Sequence, residues 1–302
     1  VLEIGEINCA HLPIRQILVP LWTIVNIFTI VVKKKIGEKS IYLMDYHHHT
    51  NHSFDSTACM VKVCKKAIES EIQEICFTEH FSVNPLAPTY GHMVFEKYLN
   101  EIRSCQEEFH NQLIIKAGIE LCEPHLLKDQ YDETLQPLDL DLILCSVHNL
   151  NNQKLRLSLN EGHPTAYERY FNELYHMVST ADIDIIAHFD LMKRYAYKEH
   201  GLYEFHEYQE IIELILKKAI DRNIGMEINT SGLRTGFKQT MPSIEIIQLY
   251  KELGGEILTI GSDSHTAESV GANLTDALSL AKDCGFNYIF KFEKRKPIPV
   301  KI

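Results

Sequence analysis

The stretch "DYHHHT", residues 45–50, follows the apolar approach "IYLM" and places three histidines in a row. Side chains of a strand alternate faces, so His47 and His49 project to one side and His48 to the other. That makes a chelating pair and a bystander. "GSDSHT" repeats the spacing with Asp263 and His265. Comparable groups close the other apolar runs: His52 and Asp55 after the first, Glu79 and His80 in "FTEH", and Glu120 in "AGIELCE". They continue with His148 in "CSVHN", His188 and Asp190 in "IIAHFD", and Glu227 and Asn229 in "EINTSGLR". A single histidine at a strand end is usually an ordinary hydrogen-bonded residue, whereas this many at successive strand ends point to metal. Mixed imidazole and carboxylate donors suit Zn, Mn or Fe, and no soft thiolate set sharpens the choice. One ion takes three or four protein ligands, so the number of donors implies more than one ion. A carboxylate such as Glu120 can bridge two. Adjacent ions turn a shared water into hydroxide at neutral pH and grip an ester's oxygens from both sides.

The elements that must position these groups alternate. Strand candidates are "YLMDY", "EICFTEH", "LIIKAGIEL", "LDLILCSVH", "IDIIAHF", "NIGMEINT" and "EILTIGSDSH", with "NYIFKF" as a final piece. Helical patterns separate them, among them "STACMVKVCKKAIESE", where Ala58, Val61, Cys64, Ala67 and Ile68 fall near one face. Such alternation predicts an α/β fold, either a (β/α) barrel or a doubly wound sheet. Functional residues at nearly every strand end favour the barrel, whose strands converge on one pocket at their C-terminal ends. The Gly-rich phosphate loop expected of a doubly wound sheet is missing.

With 41 acidic against 30 basic residues the chain carries a formal charge of −11, a poor match to nucleic acid. Lys154 and Arg156 in "NNQKLRLS" make a weak platform for a single strand. The eight cysteines are scattered, without a CxxC, and read as buried free thiols of a cytoplasmic protein. Residues 1–43 are atypical. The apolar run at residues 17–32 is short for a membrane span and contains Pro20 and Asn26. We read residues 1–43 as an extension upstream of a true start at Met44, leaving 44–302 as the catalytic domain; no membrane association is expected beyond that segment.

Taken in order, "DYHHHTNHSFD", "FTEH", "AGIELCE", "CSVHN", "IIAHFD", "EINTSGLR" and "GSDSHT" resemble the polymerase and histidinol phosphatase (PHP) superfamily over residues 44–290. The resemblance implies a distorted (β/α)7 TIM-like barrel with three metal ions at the C-terminal ends of the strands. It assigns His47, His49, Glu120 and Asp263 to the first ion. Glu120 bridges to the second, completed by His148 and His188, and Asp55, His80 and His265 hold the third. Relatives often have histidine where Asp55 stands, which leaves a role for the nearby His52 open.

Within the superfamily the chain is similar to the free-standing L-histidinol-phosphate phosphatases of histidine biosynthesis. The expected substrate is therefore L-histidinol phosphate, hydrolysed by a metal-bridging hydroxide, with Arg234, Asp263 and His265 at the reacting centre. Arg234 stands where that subfamily uses an arginine against phosphate, a fit for its paired donors. Ser262, Asn149 and His52 are further candidate substrate contacts, and Glu161, His163 and Tyr167 could line the mouth. Glu79, Asp190 and Glu227 are expected to orient imidazoles or lysines. The general acid stays open among His265, His52 and a bound water. Competing expectations are a phosphatase for phosphotyrosine or nucleotides, a nuclease, and a metal-stabilised module without catalysis.

Overall fold

Seven parallel strands follow one another around the centre of the protein in chain order: β1 (Met44–His48), β2 (Glu74–Phe81), β3 (Ile114–Cys122), β4 (Leu142–Ser146), β5 (Ile185–Ile186), β6 (Gly225–Asn229) and β7 (Leu258–Gly261). A computed structural model describes residues 41–302 of the chain, and Tyr42–Ile302 form one compact unit. The reading of residues 1–40 lies outside the described residues. Beyond the last strand, Asp263 N donates to His47 O at 2.8 Å and His49 N to Ser264 O at 2.9 Å. These bonds bring β7 round to β1 and nearly close the sheet into the expected barrel.

The strands are buried almost throughout, as a parallel sheet must be when helices cover its outer face. Those helices are α1 (Met60–Glu69), α2 (Phe95–Glu108), α3 (Lys128–Leu135), α4 (His163–Thr180), α5 (Met192–Ala196), α6 (Phe205–Asp221), α7 (Ile244–Glu252) and α8 (Leu274–Asp283). Helix α1 buries Met60, Val63, Cys64 and Ala67. Its apolar stripe is rotated from the expected one, with Val61 and Ile68 only half-buried. Helix α6 buries Tyr208, Ile212, Ile215, Leu216 and Ala219, a stripe of 3.6-residue period.

The run "NYIFKF" does not extend the barrel. It forms β8 (Tyr288–Glu293), which pairs antiparallel with β9 (Lys296–Lys301). This hairpin seals the N-terminal end of the barrel. Phe292 N donates to the hydroxyl of Tyr46 at 3.0 Å, and that hydroxyl donates to Glu74 Oε1 at 2.6 Å. Arg295 reaches Asp182 and Asp184. Tyr42 and Leu43 also join this end: Tyr42 donates its hydroxyl to Glu74 Oε2, and Leu43 N donates to Gln73 Oε1 at 2.6 Å.

Of the described cysteines, Cys64, Cys76, Cys105, Cys122, Cys145 and Cys284 are buried and Cys59 is exposed, all as free thiols. Among the described residues no helix is long and apolar enough to cross a membrane.

Candidate metal centre

The C-terminal strand ends converge on the carboxylate of Glu120, near the end of β3 and fully buried. Its Oε2 lies 3.2 Å from His47 Nε2, 3.4 Å from His49 Nε2 and 3.0 Å from His80 Nδ1. Its Oε1 lies 2.8 Å from His188 Nε2 and 3.6 Å from His148 Nε2. The two oxygens thus face two different sets of imidazoles. Asp263 Oδ1 stands 3.7, 3.6 and 3.8 Å from His47 Nε2, His49 Nε2 and His265 Nδ1. Asp55 Oδ2 stands 3.3 Å from His265 Nε2 and 3.5 Å from His80 Nε2. Every expected metal donor therefore meets in one cluster.

Local backbone geometry delivers them. The pairing of β1 with β2 slips between Asp45 and His48, an irregularity that frees the ligand-bearing end from a strict ladder. His188 and Asp263 have φ of 27° and 50°, a region costly for residues with a Cβ and concentrated at functional sites.

The donors fit a set of metal ions on chemical grounds. Glu227 Oε1 lies 2.8 Å from His47 Nδ1, so that nitrogen carries the proton. Ser53 Oγ donates to Glu79 Oε2 at 2.6 Å, leaving His49 Nδ1, 3.0 Å away, to donate to the serine. Both Nε2 atoms then turn lone pairs toward each other at 3.0 Å. Two facing lone pairs at that distance call for a cation. The carboxylates around His47 express the same demand for positive charge. Burial disfavours charging its imidazole, but without a bound cation Glu227, Glu120 and Asp263 outweigh burial and hold it well above the usual range, so that a proton takes the place a metal ion would fill. Four overlapping groups, His47, His49 and Glu120; Glu120, His148 and His188; His49, His80 and His265; and His80, Cys122 and His148, each bring their ligand atoms within 4.8 Å of one another.

The supporting groups divide the labour. Glu227 Oε2 also accepts from His188 N at 2.9 Å, tying two donors to one carboxylate. Glu79 reaches His49 through Ser53. Asp190 binds a lysine, its Oδ2 lying 2.9 Å from Lys193 Nζ. Asp45 lies on the ligand side of β1, yet its carboxylate accepts from Ser262 N, Ser262 Oγ and Gly271 N at 2.6–2.9 Å. It staples β1 to the end of β7. His48 packs edge-on to Phe77 at 5.8 Å, and burial pushes its imidazole down to about 3.

A cavity of about 400 Å³ opens above the cluster, with Asp55, His80, His148, His188, Asp263 and His265 in its floor. Two connecting segments contribute to its wall, Pro88 and Thr89 after β2 and Asn149, Lys154 and Arg156 after β4. Asn149 is held by Glu123, which accepts from its backbone N at 2.8 Å and its Nδ2 at 3.1 Å.

Several expected contacts are not at the cavity. Ser262 is fully buried with its amide and hydroxyl bound to Asp45, so it has nothing to offer a substrate. His52 turns away to pair with Glu101 Oε2 on α2 at 2.7 Å, while Asp55 faces the cluster. Arg234 is exposed, does not line the cavity, and donates from Nη2 to Ser262 O at 2.6 Å. Tyr167 is buried in an aromatic cluster with Tyr203 and Tyr208.

Three groups at the cavity escaped the sequence reading. Arg194, on α5, lines it and donates from Nη2 to Asp263 Oδ2 at 2.8 Å. Tyr195 follows it. Cys122 lies two residues after Glu120, on the same face of β3, and brings its Sγ to 3.4 Å from His148 Nδ1. Burial pushes its thiol up to about 11. Strand alternation alone could have flagged Cys122; Arg194 sits on a helical turn where no period points at the site.

A parallel barrel with a histidine and carboxylate cluster at its C-terminal rim defines a class of metal-site barrel. The PHP domain family model matches residues 45–231, and the chain belongs to that family. It is 33% identical to a probable histidinol-phosphatase of Clostridium acetobutylicum over 84% of this chain and 98% of the relative. It is 27% identical to the histidinol-phosphatase of Lactococcus lactis over 84% of this chain and 95% of that one. A crystal structure of the Lactococcus lactis histidinol phosphate phosphatase, complexed with Zn, L-histidinol and phosphate, superposes with a TM-score of 0.79 at 26% identity, covering 85% of this chain and 98% of the other.

Proposed function

We propose that the protein is a metal-dependent phosphate monoester hydrolase that converts L-histidinol phosphate and water to L-histidinol and phosphate. The observation that carries this reading is the cluster around Glu120, opening directly into a cavity walled by Arg194, Lys154 and Arg156. A relative matched along nearly its whole length was crystallised with both products and zinc. Its fold and the chain's cluster support the same chemistry here.

His47, His49, Glu120 and Asp263 would hold one ion, Glu120, His148 and His188 a second, and Asp55, His80 and His265 a third. The bound ions would supply a nucleophile from water at neutral pH and neutralise charge on the phosphoryl oxygens. Zinc, manganese and iron all suit the imidazole and carboxylate donors.

The chain's own groups orient and bind. Glu227 and Ser53 fix the tautomers of His47 and His49, so each presents Nε2. Arg194 is anchored through Nη2 to Asp263 and Ser231 and lines the cavity. It is placed to take phosphoryl oxygens and to stabilise the charge that grows on them in the transition state. Arg234 acts through the backbone, holding the Ser262 carbonyl beside Asp263. Asn149, Thr89 and Tyr195 offer hydrogen bonds to the amino and imidazole ends of the substrate, with Phe54 as an aromatic wall.

Phosphate release from L-histidinol phosphate, measured on metal-quantified protein, tests the reading. Release that stops with a chelator and returns with zinc, manganese or iron supports it. Undiminished release by metal-free protein contradicts it.

A further inference from the structure

We propose that Cys122 supplies a sulfur ligand to the metal centre, on the side where His80 and His148 meet. The inference rests on the metal-centre reading above and adds to it a donor of different chemistry. Cys122 is 2% exposed at the end of β3. Its Sγ lies 3.4 Å from His148 Nδ1 and, with nitrogens of His80 and His148, forms a group whose ligand atoms all fall within 4.8 Å.

The strand explains the placement. Glu120 and Cys122 are separated by one residue, so both project into the barrel, just as His47 and His49 do on β1. Glu120 takes the deeper level and Cys122 the level nearer the cavity, which it lines. His80 Nδ1 is buried and makes no hydrogen bond, although Glu120 Oε2 is 3.0 Å away. A cation beside His80 would satisfy that nitrogen and meet the sulfur. On coordination the thiol proton leaves to solvent and the thiolate lone pair forms the metal–sulfur bond.

A sulfur donor changes which ions the site prefers. Thiolate favours zinc over manganese, for which oxygen ligands are better suited. The centre of this chain should therefore lean toward zinc more strongly than its histidines and carboxylates alone would dictate. The competing arrangement is a thiol that only hydrogen-bonds His148.

Optical titration of the metal-free full chain with cobalt(II) separates these outcomes. Visible d–d bands report that cobalt occupies the centre, and a near-ultraviolet sulfur-to-cobalt charge-transfer band reports ligation by thiolate. The expected result is both signals in the wild type, with the charge-transfer band lost and the d–d bands kept in Cys122→Ser and Cys122→Ala. Visible bands without charge transfer in the wild type would overturn the sulfur ligand while leaving the metal centre intact. Charge transfer that survives in both variants would assign it to another cysteine and overturn the proposal as well. Absence of any cobalt signal would remove the metal-centre reading, and this inference with it.

Discussion

Glu227 Oε1 accepts a hydrogen bond from His47 Nδ1 at 2.8 Å, while its other oxygen accepts from His188 N and Asn229 Nδ2. One buried carboxylate thereby sets the tautomer of a β1 imidazole and the position of a β5 imidazole. Glu227→Gln has too few acceptor oxygens for all three donors. It should weaken metal binding by about 10–100-fold, the usual cost of losing such an orienting partner. Isothermal titration of metal-free protein with zinc checks this. Unchanged affinity would show that His47 is oriented by other means.

His47→Ala removes a donor that faces both Glu120 and Asp263. The expected outcome is loss of most bound metal and of turnover together, read by elemental analysis and a phosphate assay. Full turnover at an unchanged metal count would remove His47 from the centre.

Arg194 and Arg234 should part company. Arg194→Ala takes a cation from the cavity wall and should lower kcat/KM by about 10²–10³, the scale of losing one transition-state donor. Arg234→Ala releases the Ser262 carbonyl and should produce a smaller loss, with metal content near normal in both. The reverse ranking would return the phosphate contact to Arg234.

At the opposite end of the barrel, Tyr46→Phe leaves Phe292 N without its acceptor and removes a donor from Glu74. It should cost about 1–3 kcal/mol of stability, seen as a lower Tm, without changing kcat/KM. A matching loss of activity would mean that the sealed base communicates with the rim.

The barrel and its ligand cluster were legible in the sequence because both follow from strand alternation. His47, His49, Asp263 and His265 sit at period two, and each apolar run ends where its chemistry begins. Strand period could not rank Asp55 against His52, since both lie in a loop; only the family spacing from His49 favoured Asp55, and the structure turns Asp55 to the cluster and His52 to Glu101. Arg194 was out of reach for a similar reason, since the short helix α5 carries it over the rim by tertiary placement alone. Ser262 misled because its position after β7 reads as exposed, whereas Asp45 draws both its amide and hydroxyl inward. Cys122 was readable from its place two residues after Glu120, but was passed over with the other scattered cysteines as a buried free thiol.

The most direct measurement compares kcat/KM for L-histidinol phosphate with that for phosphotyrosine and nucleoside monophosphates on metal-quantified protein. A cavity that recognises the amino and imidazole groups should favour L-histidinol phosphate by at least about a hundredfold, the discrimination available from a few specific contacts. Equal or better turnover of phosphotyrosine or a nucleotide would contradict the assigned substrate, and no turnover of any phosphomonoester would contradict the hydrolase itself.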